Sequence, residues 1–217
     1  MIKNQNIKDF ILKLVTFILG MFVICYGIAV TTRSMLGTTP IASPYYAVSL
    51  LHIKYFDFGM CAFIFNTLFF LGQVLILRKK FPPIQIVQLL IALATGLFIS
   101  LSMHLTQFIH AETYLERIFL VLAGSVIMGF GIAMEVRVNL TYMPGDGLVK
   151  VINDVLKLKF GVVKVSFDVM LVIMAILVTY FGLGDFFGQC VREGTLISAL
   201  TVGFFADMFL KLMKYKK

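Results

Sequence analysis

The sequence contains no tryptophan, only three cysteines, and few charged residues, which make up 14% of the chain. Cys25, Cys61 and Cys190 do not have metal-ligand spacing, and two of them lie inside apolar segments. We therefore expect neither a metal site nor a structural disulfide. Phenylalanine and tyrosine must supply any aromatic belt at a membrane surface.

Catalytic and nucleotide-binding motifs are also missing. The chain has no GxSxG, HExxH or P-loop sequence, and no GxGxxG that follows a strand. We expect no enzymatic activity and no cofactor, and any energy source must be an ion gradient or a partner protein. An intramembrane aspartyl pair of Asp168 and Asp207 is the enzymatic alternative, which the sequence does not favour.

Long apolar segments dominate what is present. Hydrophobic residues make up 60% of the chain, and its mean hydropathy is +0.97. Six segments are long enough to cross the hydrocarbon core of a bilayer, which takes about 20 apolar residues. They lie at 10–30, 58–77, 84–103, 118–134, 162–181 and 195–212. The sequence predicts an all-α membrane protein in which residues 1–217 form a single transmembrane domain.

The basic residues predict the topology. With six crossings and both termini in the cytoplasm, 15 of the 19 lysines and arginines are cytoplasmic, as the positive-inside rule requires. The four outside are Arg33, Lys54, Arg117 and Arg192. Eight crossings, with 41–53 and 145–157 added, would place several charges in lipid at high cost. The net charge of +8 thus reflects topology, and we expect no nucleic-acid binding.

A stretch of 21 residues occurs twice, at 20–40 and 124–144. Composition alone gives roughly one or two identities in such an alignment. The identities are Gly20/Gly124, Gly27/Gly131, Ile28/Ile132, Ala29/Ala133, Arg33/Arg137, Leu36/Leu140 and Pro40/Pro144. The four shared glycines are spaced for close helix packing. Because each half has three crossings, we predict a 3+3 inverted-topology repeat of 10–104 and 115–212.

Each half contains a short helical segment broken by proline or glycine. Pro40 and Pro44 interrupt the first, and Pro144, Gly145 and Gly147 interrupt the second. Irregular backbone at membrane depth is tolerated only where it is buried in protein or lines a wet cavity. We expect the first segment to be re-entrant, whereas for the second a re-entrant and an interfacial position are both open.

The two halves differ at two polar positions. Asn66 aligns with Asp168 and Ser100 with Asp207, so both acids belong to the second half, at a depth similar to that of Arg137. Ionisable residues inside a membrane indicate function. We predict a cluster in which an aspartate binds a proton or cation and the arginine tunes its pKa. The alternative is a structural ion pair that locks spans four to six together.

Other candidates follow from the repeat. We expect Arg33 either to cap a helix or to line a pathway. The same two roles are open for Gly194 and Thr195 at the start of the last span. The predicted ligand or ion pathway comprises Arg33, Pro40, Asn66, Arg137, Pro144, Asp146, Asp168, Asp207, Gly194 and Thr195.

Three motifs, GIAVTTRSMLGTTP, RVNLTYMPGDGL and REGTLISALTVG, resemble those of the YczE/YyaS/YitT family of bacterial integral membrane proteins. The resemblance covers nearly the whole chain and implies a bacterial inner-membrane protein with a duplicated helical unit. Glu193 stands where a smaller residue is expected before Gly-Thr. The matching motif positions are Gly37, Pro40, Pro144, Gly145, Asp146, Gly147, Gly194 and Thr195.

Three functions are compatible with these features. The leading hypothesis is a small secondary transporter or permease-like protein, with its site between the two broken segments. The alternatives are a substrate-binding membrane subunit of a multi-protein importer and a non-transporting membrane scaffold or regulator. The expected partners are the lipid bilayer and a small solute, and a homodimer is left open.

Overall fold

The computed structural model describes residues 2–158, 160–184 and 189–213. In these ranges the chain forms eight α-helices and no strand. Two short 3₁₀ turns, Arg78–Lys80 and Pro83–Ile86, connect the third helix to the fourth. The helices are α1 Ile2–Arg33, α2 Ser43–Ser49, α3 Phe58–Leu77, α4 Val87–Leu105, α5 Tyr114–Val138, α6 Pro144–Leu156, α7 Phe160–Leu183 and α8 Glu193–Leu212.

Six of these helices, all but α2 and α6, are long and apolar enough to cross a membrane. The predicted six spans are thereby confirmed, and the chain is a polytopic helical membrane protein. Helix α2 has 7 residues and α6 has 13. At 1.5 Å per residue, α6 extends about 20 Å, which is too short to cross a hydrocarbon core of about 30 Å. This excludes eight full crossings.

Local sequence accounts for several helix starts. Asp57 caps α3 by accepting a hydrogen bond from the Met60 backbone N–H at 2.8 Å. Thr113 and Glu116 form a capping box at the start of α5. Helix α6 begins with Pro144, whose missing N–H costs nothing in the first turn. The starts of these three helices therefore follow from ordinary capping chemistry.

Helices α1 and α5 pack closely and antiparallel through the four repeated glycines. A Cβ atom on Gly27 would lie 2.8 Å from the Gly124 carbonyl oxygen, and one on Gly131 would lie 2.8 Å from that of Gly20. Such distances leave no room for a side chain. Small residues allow transmembrane helices to approach until their backbones touch, and the predicted glycine packing is confirmed.

Two of the remaining helices pack on this central pair. Helix α4 packs on α1 and α3, and α8 packs on α5. The short helices α2 and α6 each contact both α3 and α7. One core joins these elements through residues that include Ile24, Ile28, Tyr45, Phe69, Met128, Leu148 and Phe167.

The central contact predicts a strong position-dependent effect of leucine. Gly27→Leu places a Cβ 2.5 Å from Met128 Cγ, and such overpacking costs about 1–3 kcal/mol. We expect a lower apparent Tm in detergent, which is measured by size-exclusion chromatography of heated samples. The control is Gly203→Leu, since a Cβ there has nothing within 4 Å. Equal melting of the two variants would contradict the packing.

Candidate functional site

The first broken segment is tied to the start of α8 by backbone hydrogen bonds. The Thr38 N–H donates to the Cys190 carbonyl at 3.2 Å, and the Gly194 N–H donates to the Leu36 carbonyl at 2.8 Å. Gly37 has a φ of +100° and a Cβ there would lie 2.8 Å from the Arg192 nitrogen, so both its conformation and its surroundings require glycine. The segment is held firmly on its neighbour.

Gly194 and Thr195 belong to this junction. The Thr195 hydroxyl accepts a 3.4 Å hydrogen bond from the Arg192 N–H and donates one to the Cys190 carbonyl at 3.4 Å. Of the two roles expected for Gly194 and Thr195, the geometry favours capping of α8.

Helix α2 follows Pro40 and is buried in protein. The Ser43 hydroxyl donates to the Pro40 carbonyl at 2.8 Å, and Tyr45 packs its ring against Phe65 and Phe69 at centroid distances of 5.4 and 6.5 Å. A tyrosine phenol is neutral at pH 7, and burial raises the pKa of Tyr45 still further above that range. This part of the site is uncharged.

The second broken segment is held by a buried amide pair that sequence reasoning missed. The Gln73 side chain donates to the Pro144 carbonyl at 2.9 Å and to the Gln88 amide oxygen at 2.7 Å. Gln88 donates back to Gln73 at 3.2 Å. A Cβ on Gly147 would lie 3.0 Å from the Gln73 amide, so this glycine makes room for the pair. In the sequence, the signal for this amide pair is the presence of two glutamines inside or beside apolar spans.

Asp146, in the first turn of α6, lies beside a lysine of α7. Lys164 Nζ is 3.1 Å from Asp146 Oδ1 and 3.2 Å from Asp168 Oδ1. The side chains are 46%, 30% and 25% exposed for Asp146, Lys164 and Asp168. Lys164 therefore bridges two carboxylates where the second broken segment meets α7.

This arrangement differs from the cluster predicted for Arg137, Asp168 and Asp207. Asp168 pairs with Lys164, because a lysine four residues earlier on the same helix lies on the same face. Asp207 is exposed on α8, and Arg137 is exposed in the last turn of α5. Among the described residues, no ion pair joins Arg137 to either aspartate. Only Asp146 and Asp168 of the predicted acids come together.

The repeated positions have different surroundings in the two halves. Arg33 donates to the Met103 carbonyl at 2.6 Å and to the Thr106 hydroxyl at 3.5 Å, which caps the end of α4. Buried Asn66 donates to the Ala62 carbonyl at 2.9 Å within its own helix. Asn66 thus serves its helix, whereas Asp168 faces a charge.

Glu135 is an acid inside a membrane-spanning helix that the sequence prediction overlooked. It belongs to α5, one residue beyond the predicted end of span four, and its side chain packs over Gly20. Its Oε1 atom is buried without a hydrogen-bond partner, and Glu135 interacts electrostatically with Asp146. An unpaired carboxylate oxygen in such a place indicates function.

These features define a polytopic helical membrane protein with an ionisable cluster beside a broken helix. Residues 11–211 match the model of a family of unknown function, DUF6198, and the chain belongs to that family. No curated protein and no solved structure matches the chain. The resemblance to YczE/YyaS/YitT proteins stays a prediction from the motifs.

Removing the bridging lysine tests the ion pairs. Lys164→Met leaves two neighbouring carboxylates without their cation, and we expect a loss of about 1–3 kcal/mol, below the 3–5 kcal/mol of a fully buried pair because all three groups are partly exposed. Thermal unfolding in detergent measures it, and Lys164→Arg should restore most of the stability.

The matched control is Lys150→Met on α6. Lys150 is exposed and lies over the ring of Tyr142, so its loss leaves no carboxylate unpaired. If Lys164→Met melts at the same temperature as Lys150→Met, the bridge does not stabilise the junction of α6 and α7.

Proposed function

We propose that this protein is a secondary transporter of a small solute, and that a coupling proton or cation binds at the carboxylates of Glu135, Asp146 and Asp168. The observation that carries the proposal is the ionisable cluster at the second broken segment, with Lys164 between two acids. Charged groups are costly in a membrane and concentrate where substrates and ions pass.

The charges of this cluster support a cationic ligand. Two carboxylates, those of Asp146 and Asp168, share one ammonium group, and Oε1 of Glu135 is buried without a hydrogen-bond partner. Asp146 interacts electrostatically with both Glu135 and Asp168. In a poorly solvated environment, excess negative charge is relieved by binding a proton or a cation.

The helix contacts support the inverted repeat that such a transporter requires. In the repeat, α1 to α4 correspond to α5 to α8. The contact of α1 with α4 therefore has its counterpart in that of α5 with α8. The contact of α2 with α7 has its counterpart in that of α6 with α3, and the contact of α1 with α5 is its own counterpart. Inverted repeats permit alternating access, because the halves exchange conformations.

The proposed location is the bacterial inner membrane, with both termini in the cytoplasm. Two observations support it: the distribution of lysine and arginine described above, and the exposed basic turn Arg78–Lys80 between α3 and α4. In this orientation the cluster at Lys164 lies in the cytoplasmic half of α7.

A second candidate is a non-transporting scaffold or regulator. The ring of Tyr45 packs against Phe65, and Phe69 packs against Phe167 at 5.5 Å. These rings fill the space between the two broken segments, as a scaffold with a dry centre would require. Transport therefore needs a conformational change that opens this region.

Uptake measurements distinguish the two candidates. We expect a metabolite-wide comparison of cells with and without the protein to show at least one solute whose uptake depends on it. Asp168→Asn and Glu135→Gln should each reduce that uptake by roughly tenfold or more, because a neutral amide cannot balance the charge of the coupling ion; a tenfold loss corresponds to about 1.4 kcal/mol.

The control is Asp154→Asn, the same change at an exposed position of α6, which should leave uptake unchanged. A screen without any dependent solute, or full uptake by both cluster variants, would favour the scaffold.

A further inference from the structure

The two halves differ in how their second and third long helices meet. In the first half, α3 and α4 touch at Gly59 and Gly96, where a Cβ on Gly96 would lie 2.7 Å from the Gly59 carbonyl oxygen. Both glycines are buried. This contact requires glycine on both helices.

The aligned glycines of the second half meet nothing. Gly161 of α7 corresponds to Gly59, and Gly203 of α8 corresponds to Gly96. A Cβ on either would have no neighbour within 4 Å, and both residues are exposed. The residues that the structure describes show no packing of α7 on α8 comparable to that of α3 on α4.

Helix α8 nevertheless has the same orientation about its own axis as α4. Phe98 packs against Phe22 of α1 at 5.6 Å, two residues after Gly96. Phe205, two residues after Gly203, packs against Gly129 of α5. Each α-helical residue turns about 100°, so the two glycines occupy equivalent faces. Gly203 therefore presents the face that Gly96 uses to contact its neighbour.

Two polar contacts follow the same pattern. In the first half, the Ser100 hydroxyl donates to Asp57 at 2.8 Å, and Arg33 caps α4. Their counterparts Asp207 and Arg137 are exposed. At the positions that the structure describes, the first half is therefore closed and the second half is open.

From these differences we propose that α7 and α8 close on each other at Gly161 and Gly203 in a second state of the protein, while the contact of α3 with α4 opens. The proposal rests on the proposed transport function and deepens it by naming the gate. Glycine within a helix is unfavourable relative to alanine, and close helix contact in a membrane is what glycine permits.

The gate lies next to the ionisable cluster. Lys164 is one helical turn after Gly161, and Asp168 is one turn further. Closing α7 on α8 would shield the cluster from the membrane face at which α8 ends. Opening α3 from α4 would give access from the opposite face, and by the predicted topology the described state is inward-facing.

Distances between spin labels test the gate without any knowledge of the solute. The full chain, with Cys25, Cys61 and Cys190 replaced by alanine, carries labels at Val165→Cys and Leu200→Cys, one turn from Gly161 and Gly203. In liposomes we expect two distance populations, of which the shorter is the closed gate. The matched pair in the first half, Phe63→Cys and Leu93→Cys, should show the complementary change.

Substitutions at the glycines should shift these populations in opposite directions. Gly203→Leu fits the described state and blocks closure, so we expect the short population to fall several-fold. Gly96→Ala would place a Cβ 2.7 Å from the Gly59 carbonyl oxygen, which opens the first half, so the short population should rise several-fold. Thr201→Leu, on another face of α8, should leave both distance populations unchanged.

A single long distance in every variant, or a short population insensitive to Gly203→Leu, would overturn the gate. A short distance that disappears on dilution with unlabelled chain would also overturn it, since the groove would then hold a second copy. A functioning gate without any transported solute would reject the transport function and leave the conformational change standing.

Discussion

The close contact between α1 and α5 is the constraint on which the rest of the structure depends. Lipid tails are as apolar as leucine, so helices in a bilayer gain little from hydrophobicity alone and associate through close packing. Gly20, Gly27, Gly124 and Gly131 let the two backbones touch. Because α4 is held by α1 and α8 by α5, the positions of these two outer helices follow from this contact.

Charge and neutrality are divided between the two broken segments. The first is joined to α8 by backbone hydrogen bonds and packs a neutral tyrosine against phenylalanines. The second carries Asp146 into contact with Lys164 and receives the buried amides of Gln73 and Gln88. The half with the ionisable groups is also the half whose last two long helices stand apart, so chemistry and freedom to move coincide.

The sequence predicts the parts of the fold that depend on local properties. Apolar length predicted all six long helices, and glycine spacing predicted the packing of the repeated stretch. The candidate site was predicted only in part. Asp146 and Asp168 come together, but through Lys164, whose charge had been read only as a topology signal. Glu135 was missed because it follows the last apolar residues of its predicted span, and Gln73 because an amide inside an apolar run has no recognisable motif.

By itself, the sequence determined the number of spans, the helices that could approach closely, and the unequal chemistry of the two halves, since each depends on side chains within one segment. Only the tertiary structure decided which groups meet. Arg33 caps α4 while its counterpart Arg137 is exposed, and Gly59 packs on α4 while its counterpart Gly161 meets nothing. Equivalent residues can make equivalent contacts. Whether they do so depends on the distance between the two helices that carry them, and the packing of the whole bundle sets that distance.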